Sequence, residues 1–200
     1  MIMLKFYKLN YLELNKIAIH YKISKLPNFC QDKIFKYSSL LKQQQRLEGL
    51  QLLQKVLFDN NFNLQHIYYN KYGKPMVDQS IDFSLSYANN NVVLGFIKNG
   101  AIGVDIEQIK TINILDFIDY FSEYEFHYLS GCNNSQTIFY KLWTRKEAVA
   151  KAVGKGAMLD FKSFEVLNDD IEVNNLQITI SSELIQGNYW ISVAVFKKLN

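Results

Sequence analysis

The sequence predicts an α+β protein with helix and sheet in each half of the chain. Three observations lead there. Apolar residues recur at a helical period over residues 31–58 and again over 139–153. Short β-branched or alternating runs lie beside both stretches. A turn, Lys98-Asn99-Gly100, falls between two such runs near the middle of the chain, which places a domain boundary between residues 1–99 and 100–200. With 200 residues, 48% apolar and 14% aromatic, the chain can bury one sizeable core or two smaller ones sharing an interface.

Taken in order, residues 2–9 alternate loosely and read as an edge strand. The helical signal of 31–58 is carried by Leu40, Leu41, Leu47, Leu50, Leu53, Val56 and Leu57. Polar residues 59–63 end it, and strands follow at 65–69 and 82–87 with a Tyr72-Gly73-Lys74-Pro75 turn between them. Residues 91–97 and 101–107 are strands on either side of the central turn. Ser122 with Glu125 three positions on is a capping box, and Phe121 with Phe126 is its hydrophobic staple, so a helix starts there and ends near Gly131. Residues 139–153 form the next helix, closed by Gly154. Residues 161–168, 176–180 and 189–197 read as antiparallel strands.

Composition removes several classes of function. A net charge of +3 is too small to claim nucleic acid, though it suits an acidic protein or a phosphate-rich ligand. The two cysteines, Cys30 and Cys132, have no metal-type spacing and make no disulfide framework. Lys5, Lys8 and Glu13 interrupt the amino terminus, which therefore does not read as a signal peptide, and no run approaches the ~20 apolar residues that cross a bilayer. The expectation is a cytoplasmic protein with no membrane and no nucleic-acid partner.

The chemistry concentrates in two segments. In Gly103-Val104-Asp105-Ile106-Glu107, strand alternation sends Asp105 and Glu107 to one face and Val104 and Ile106 to the other. In Trp143-Thr144-Arg145-Lys146-Glu147, followed by Lys151, helical spacing puts Trp143, Glu147 and Lys151 on one stripe. Phe139, Leu142, Val149, Ala150 and Val153 make the inward face. An acidic strand alone is ordinary solvated surface, and a Glu–Lys pair at i and i+4 is an ordinary helical ion pair. Together they place three carboxylates beside a lysine. Oxygen-only ligands select a hard cation, and magnesium suits a site that phosphates complete. Lys155, between Gly154 and Gly156, and Lys74, beside Pro75, are further candidates for phosphate. Ser86 on strand 82–87 is one more, although such a hydroxyl more often bonds its own backbone.

In their order, Gly73-Lys74-Pro75, Phe83-Ser84-Leu85-Ser86, Gly103–Glu107, Phe121-Ser122 with Glu125, and Phe139–Glu147 with Lys151 and Gly154-Lys155-Gly156 resemble 4′-phosphopantetheinyl transferases of the two-domain, surfactin-synthetase-activating type. The resemblance spans residues 73–156. It implies two similar α+β halves related by a pseudo-twofold, coenzyme A in the cleft between them, and a monomer. It also implies transfer of the phosphopantetheine arm of coenzyme A to a serine of an apo acyl or peptidyl carrier protein, leaving adenosine 3′,5′-bisphosphate. By the same carry-over, Asp105, Glu107 and Glu147 hold magnesium and Lys151 stabilises charge. Lys74, Pro75, Ser86, Tyr87, Lys151 and Lys155 meet coenzyme A. Glu147, directly or through a metal-bound water, is the base, with Glu107 as the alternative.

Two departures from the family pattern bear on the nucleotide end. Tyr87 stands where a histidine is usual, and Arg46 is one position out of the usual register beside Gly49, with Gln54 where a basic residue is common and Lys55 as a substitute. Residues 111–120, with Ile112, Ile114, Leu115, Phe117 and Ile118, read as core first and a carrier-docking surface second. Two other readings stay open. One is a non-catalytic coenzyme A or nucleotide-binding adaptor of the same fold, and the other is a metal-dependent nuclease.

Overall fold

The computed structural model describes residues 2–8 and 15–197. Two antiparallel sheets organise them. The first has the order β1–β5–β4, from β1 (Ile2–Lys8), β4 (Ile81–Ala88) and β5 (Asn91–Lys98). The second has the order β6–β9–β8–β7, from β6 (Ala101–Gln108), β7 (Asp170–Val173), β8 (Leu176–Ile185) and β9 (Tyr189–Phe196). A two-stranded ribbon, β2 (Tyr68–Tyr69) with β3 (Pro75–Met76), carries the Gly73-Lys74 turn. Each large sheet is accompanied by a 19-residue helix, α3 (Leu40–Phe58) in the first half and α5 (Ser135–Val153) in the second. The chain passes from the first sheet to the second at Asn99-Gly100, with Asn99 in a left-handed conformation.

Burial follows the sequence pattern. Leu47, Leu53, Val56 and Leu57 of α3 pack with Phe83, Leu94 and Phe96 of β4 and β5. Phe139, Leu142, Val149 and Ala150 of α5 pack with Ile178, Ile180 and Ala194 of the second sheet. Val104 and Ile106 join a third cluster with Val93, Ile97 and Ile191, which ties the two sheets together. The Ser122 box forms as expected: Ser122 N–H donates to Glu125 Oε2 at 3.0 Å and Glu125 N–H to Ser122 Oγ at 3.1 Å, at the start of α4 (Glu123–Ser130). Gly154, at φ +76°, caps α5 in the left-handed region that glycine enters most readily.

Three element assignments change. The helical stretch 31–58 is two helices, α2 (Asn28–Phe35) and α3, separated at residues 36–39, and α1 (Lys16–Ile23) precedes them. Ser38 and Ser39 favour local turns over helix and supply that break. The strand at 65–69 shrinks to β2, because Asn63 caps a 3₁₀ turn over Leu64–His66. Residues 161–168 are no strand. Phe161–Ser163 is a 3₁₀ turn capped by Asp160, and the strand pairing with β8 begins at Asp170. Of the expected first strand, Leu9 lies outside the described residues.

Candidate functional site between β6 and α5

Gly103 brings the site together. A Cβ at this position would sit 1.9 Å from Ala148 O and 2.4 Å from Ala152 N, so only glycine lets α5 lie this closely on β6. The close approach brings Lys151 to Asp105: Nζ is 2.7 Å from Oδ1 and also donates to Val104 O (3.1 Å) and Ser86 Oγ (3.2 Å). Ser86 Oγ in turn donates to Asp105 Oδ1 at 2.8 Å and accepts Ile106 N–H at 3.3 Å.

Glu107 and Glu147 share the electrostatics of this centre. Burial first, then the charges of Asp105 and Glu147, push the Glu107 carboxyl up to about 7 against the opposing pull of Lys151 and Lys110. Burial and Asp105 raise Glu147 likewise, with Lys151 opposing. Tyr140, which the sequence reading missed, is buried, and its phenol is raised by that burial and by the charge of Glu107.

Among the described residues, no three His, Cys, Asp or Glu side chains are gathered tightly enough to chelate a metal as they stand. The donor chemistry nevertheless fits a hard cation. Asp105 Oδ2 is buried without a hydrogen-bond partner, and burial together with the charge of Asp105 holds the two neighbouring carboxyls above their ordinary range, a strain that a bound cation would relieve.

Helix α5 runs between two cavities. The first, about 490 Å³, is lined by the cations Lys33, Lys36, Arg46, Lys74 and Lys151 and by Tyr37, Tyr69, Tyr72 and Tyr87. Its size and its mix of aromatic walls with a few cations suit a small molecule with a flat ring and anionic groups. The second, about 440 Å³, lies one helical turn earlier and is lined by Glu147, Trp143, Tyr120, Phe161, Leu159, Asp119 and Asp160.

The expected residues fall into separate groups. Asp105, Glu107, Glu147 and Lys151 are brought into one electrostatic centre. Pro75 and Tyr87 line the first cavity. Lys155 is half-buried in the turn between Gly154 and Gly156; both glycines line the cavity and Lys155 does not. Ser86 is buried and bonded to Asp105, and Lys74 is ion-paired to Asp82 at 2.5 Å. Tyr87 carries Arg46 over its ring at 3.9 Å, and burial raises its phenol to about 12 against the Arg46 charge and hydrogen bond. Gly49 makes room for that ring, since a Cβ there would lie 2.3 Å from Tyr87 Oη. The two departures from the family pattern thus touch each other.

Lys33, Lys36 and Tyr37 were missed. Their signal, two lysines three apart on a helix end followed by an aromatic, is common on solvated surfaces. Arg145 and Lys146 of the same motif turn inward. Arg145 donates to Val166 O, Asn168 O, Asp169 and Ser182, and Lys146 pairs with the buried Glu125 at 2.8 Å while donating to Phe161 O and Phe164 O. Both hold the 161–169 segment, whose first residue, Phe161, lines the second cavity.

The preference for core at 111–120 needs correction. Ile112, Ile114 and Phe117 pack on the second core, but Leu115 and Ile118 are 63% and 44% exposed. The 3₁₀ helix over Ile114–Tyr120 repeats every three residues, so Ile114 and Phe117 share the inner face while Leu115 and Ile118 share the outer one.

The sequence signature of the 4′-phosphopantetheinyl transferase superfamily matches residues 101–194, which contain Asp105, Glu107, Glu147 and Lys151. The chain is also 34% identical over 157 residues to the 4′-phosphopantetheinyl transferase gsp of Aneurinibacillus migulanus, across 76% of this chain and 66% of that relative. The chain belongs to the 4′-phosphopantetheinyl transferase superfamily. It is 36% identical over 109 residues to the 4′-phosphopantetheinyl transferase Sfp of Bacillus subtilis (strain 168), across 52% of this chain and 48% of Sfp. This superfamily member therefore spans about half to two thirds of the length of the curated relatives it matches. A solved holo-(acyl-carrier-protein) synthase from Bacillus anthracis, in complex with CoA (3′,5′-ADP), aligns with a TM-score of 0.43 and 24% identity over 50% of this chain and 96% of that one. Among the described residues, no helix of this superfamily member is long and apolar enough to cross a membrane.

Proposed function

We propose that this chain transfers the 4′-phosphopantetheine arm of coenzyme A to a serine hydroxyl of an apo carrier protein, releasing adenosine 3′,5′-bisphosphate. The observation that carries the reading is the run of one helix past two cavities. Lys151 lines the basic, tyrosine-walled one, Glu147 lines the other, and Asp105 and Glu107 share their field. In this reading the nucleotide end of coenzyme A occupies the first cavity. Its purine lies against the tyrosines, and its phosphates are met by Lys33, Lys36 and Arg46. The carrier approaches the second cavity, beside exposed Leu115, Ile118 and Tyr120.

Asp105, Glu107 and Glu147 would hold magnesium, which when bound supplies charge neutralisation to the pyrophosphate. The chain's own residues do the rest. Lys151 faces the developing negative charge of the departing bisphosphate. Glu147, with its proton affinity raised, accepts the serine proton, and Glu107 is the alternative acceptor. The serine Oγ–phosphorus bond forms as the phosphorus–oxygen bond to adenosine bisphosphate breaks, and that oxygen leaves with the electron pair. Positioning and charge neutralisation dominate such a displacement. The protein would act as a monomer in the cytoplasm.

Glu147→Gln tests the reading. Calorimetric affinity for coenzyme A should stay within about threefold while turnover falls by about 10²-fold or more. Unchanged turnover would remove Glu147 from catalysis. Binding of coenzyme A by the wild type with no turnover on any carrier would favour the adaptor.

A further inference from the structure

The free edge of β6 is dressed by side chains instead of by a neighbouring strand. Among the described residues, β6 pairs with a strand along one edge only, that facing β9. Along the other, Ile102 N–H donates to Asp82 Oδ2 (2.9 Å), Val104 N–H to Ser84 Oγ (3.1 Å) and Ile106 N–H to Ser86 Oγ (3.3 Å). These three acceptors are alternate residues of β4, so the polar face of a strand in the first half satisfies the backbone of a strand in the second. Two lysines meet the carbonyls on the same edge: Lys74 Nζ donates to Ile102 O at 3.3 Å, and Lys151 Nζ to Val104 O at 3.1 Å.

Lys74 also reaches the end of α5. Its ammonium donates to Ala152 O at 3.2 Å, one of the last carbonyls of that helix, where a cation is favoured by the helix dipole. The turn that carries it adds a second tie, Asn70 Nδ2 to Gly154 O at 2.9 Å. Gly154 fits under this turn, since a Cβ there would lie 3.0 Å from Lys74 Cδ and 3.2 Å from Asn70 Nδ2. Ala152 directly follows Lys151. Whatever fixes the Ala152 carbonyl therefore fixes the backbone from which Lys151 reaches Asp105.

We propose that Lys74 and Asp82 are a buried positioning pair that locks the last turn of α5, and with it Lys151, against β6, and that Lys74 is not a ligand of the nucleotide. The Lys74 side chain is 12% exposed and that of Asp82 1%. Turning the ammonium toward a phosphate in the adjoining cavity would leave the Asp82 charge buried without its partner. The seam performs a second task in the same way, because Ser86 Oγ accepts Ile106 N–H and donates its own hydroxyl hydrogen bond to Asp105 Oδ1.

The kinetic arm of this proposal rests on the transferase reading; the stability and binding arms do not. The test compares Lys74→Met, Asp82→Asn and the double variant of the full chain. Measured are melting temperature, dissociation constants for coenzyme A and 3′-dephospho-coenzyme A, and kcat and KM for holo-carrier formation well below the melting temperature. Both single variants should lower the melting temperature, and the double variant should be no worse than either, as coupled partners require. Affinity for coenzyme A should stay within about threefold, and preference over the dephospho form should be unchanged. kcat should fall by about tenfold or more with KM for coenzyme A held, the mark of a misplaced group and not a lost binding contact.

Two results would overturn the proposal. One is a tenfold weakening, roughly, of coenzyme A binding in Lys74→Met alone, with preference over the dephospho form collapsing, which would make Lys74 a nucleotide ligand. The other is wild-type kcat in both variants despite lower melting temperatures, which would reduce the pair to scaffold. If Lys74→Met does not fold, Lys74→Arg keeps the charge and alters the reach, and the same split is read on it. Absence of turnover in the wild type would sink the transferase reading and leave the thermal coupling and the two dissociation constants to decide the pair.

Discussion

Replacing Gly103 by alanine should separate β6 from α5. The added methyl would lie 1.9 Å from Ala148 O and 2.4 Å from Ala152 N, both backbone atoms of α5 that cannot swing aside as a side chain can. Restoring an ordinary 3.4 Å contact to Ala148 O requires local movement of about 1.5 Å. Overpacking of that kind costs about 1–3 kcal/mol, or roughly 2–4 °C of melting temperature per kcal/mol in a chain of this size. The functional loss should exceed the loss of stability. Lys151 meets Asp105 at 2.7 Å across this contact, and a misplacement of about 1 Å can reduce turnover by about 10²-fold. Gly131→Ala is the control. A Cβ there meets nothing nearer than 3.7 Å, so the change should stay within about 0.5 kcal/mol. Thermal denaturation and coenzyme A-dependent carrier modification would be measured on both. If Gly103→Ala melts with the wild type and keeps its turnover, the close approach of β6 and α5 is not what assembles the site.

Three further outcomes are expected. Glu107, at about 7 when folded against 4.5 as its ordinary value, favours the fold below pH 4.5, and that contribution disappears as pH rises through 7. Without divalent metal the melting temperature should therefore fall between pH 5 and pH 8, by on the order of 3 kcal/mol of stability at most, and magnesium should flatten the slope. Lys146→Met leaves Glu125 buried and unpaired and should cost about 3–5 kcal/mol in urea denaturation, part of which Glu125→Leu in the same chain should return. Gly49→Ala places a methyl 2.3 Å from Tyr87 Oη, and calorimetry should show coenzyme A binding weakened by about tenfold through displacement of the ring that Arg46 covers.

The sequence was most legible where one residue's chemistry admits few environments. Gly103 followed by Asp105 and Glu107 can be an apolar strand with an acidic face, and Glu147 four positions before Lys151 fixes a helical stripe; both read correctly because period and residue type agree. The capping box at Ser122 was legible for the same reason, but nothing local showed that Glu125 would be fully buried against Lys146. Lys74 and Ser86 illustrate the limit. A lysine on a Gly-Pro turn and a serine on a strand look like groups reaching for phosphate, and only the packing of β4 against the open edge of β6 shows what they are bonded to. Residues 161–168 misled for a related reason. Their apolar residues do face the core, yet the backbone there is held by Arg145, Lys146 and Glu125 side chains instead of by a neighbouring strand.

The most direct measurement is the intact mass of an apo acyl or peptidyl carrier protein after incubation with this chain, magnesium and coenzyme A. A gain of one phosphopantetheine, lost with chelator and lost with Asp105→Ala, is the predicted result. An unchanged mass across acyl and peptidyl carriers, from protein that still binds coenzyme A, would contradict the proposed transfer.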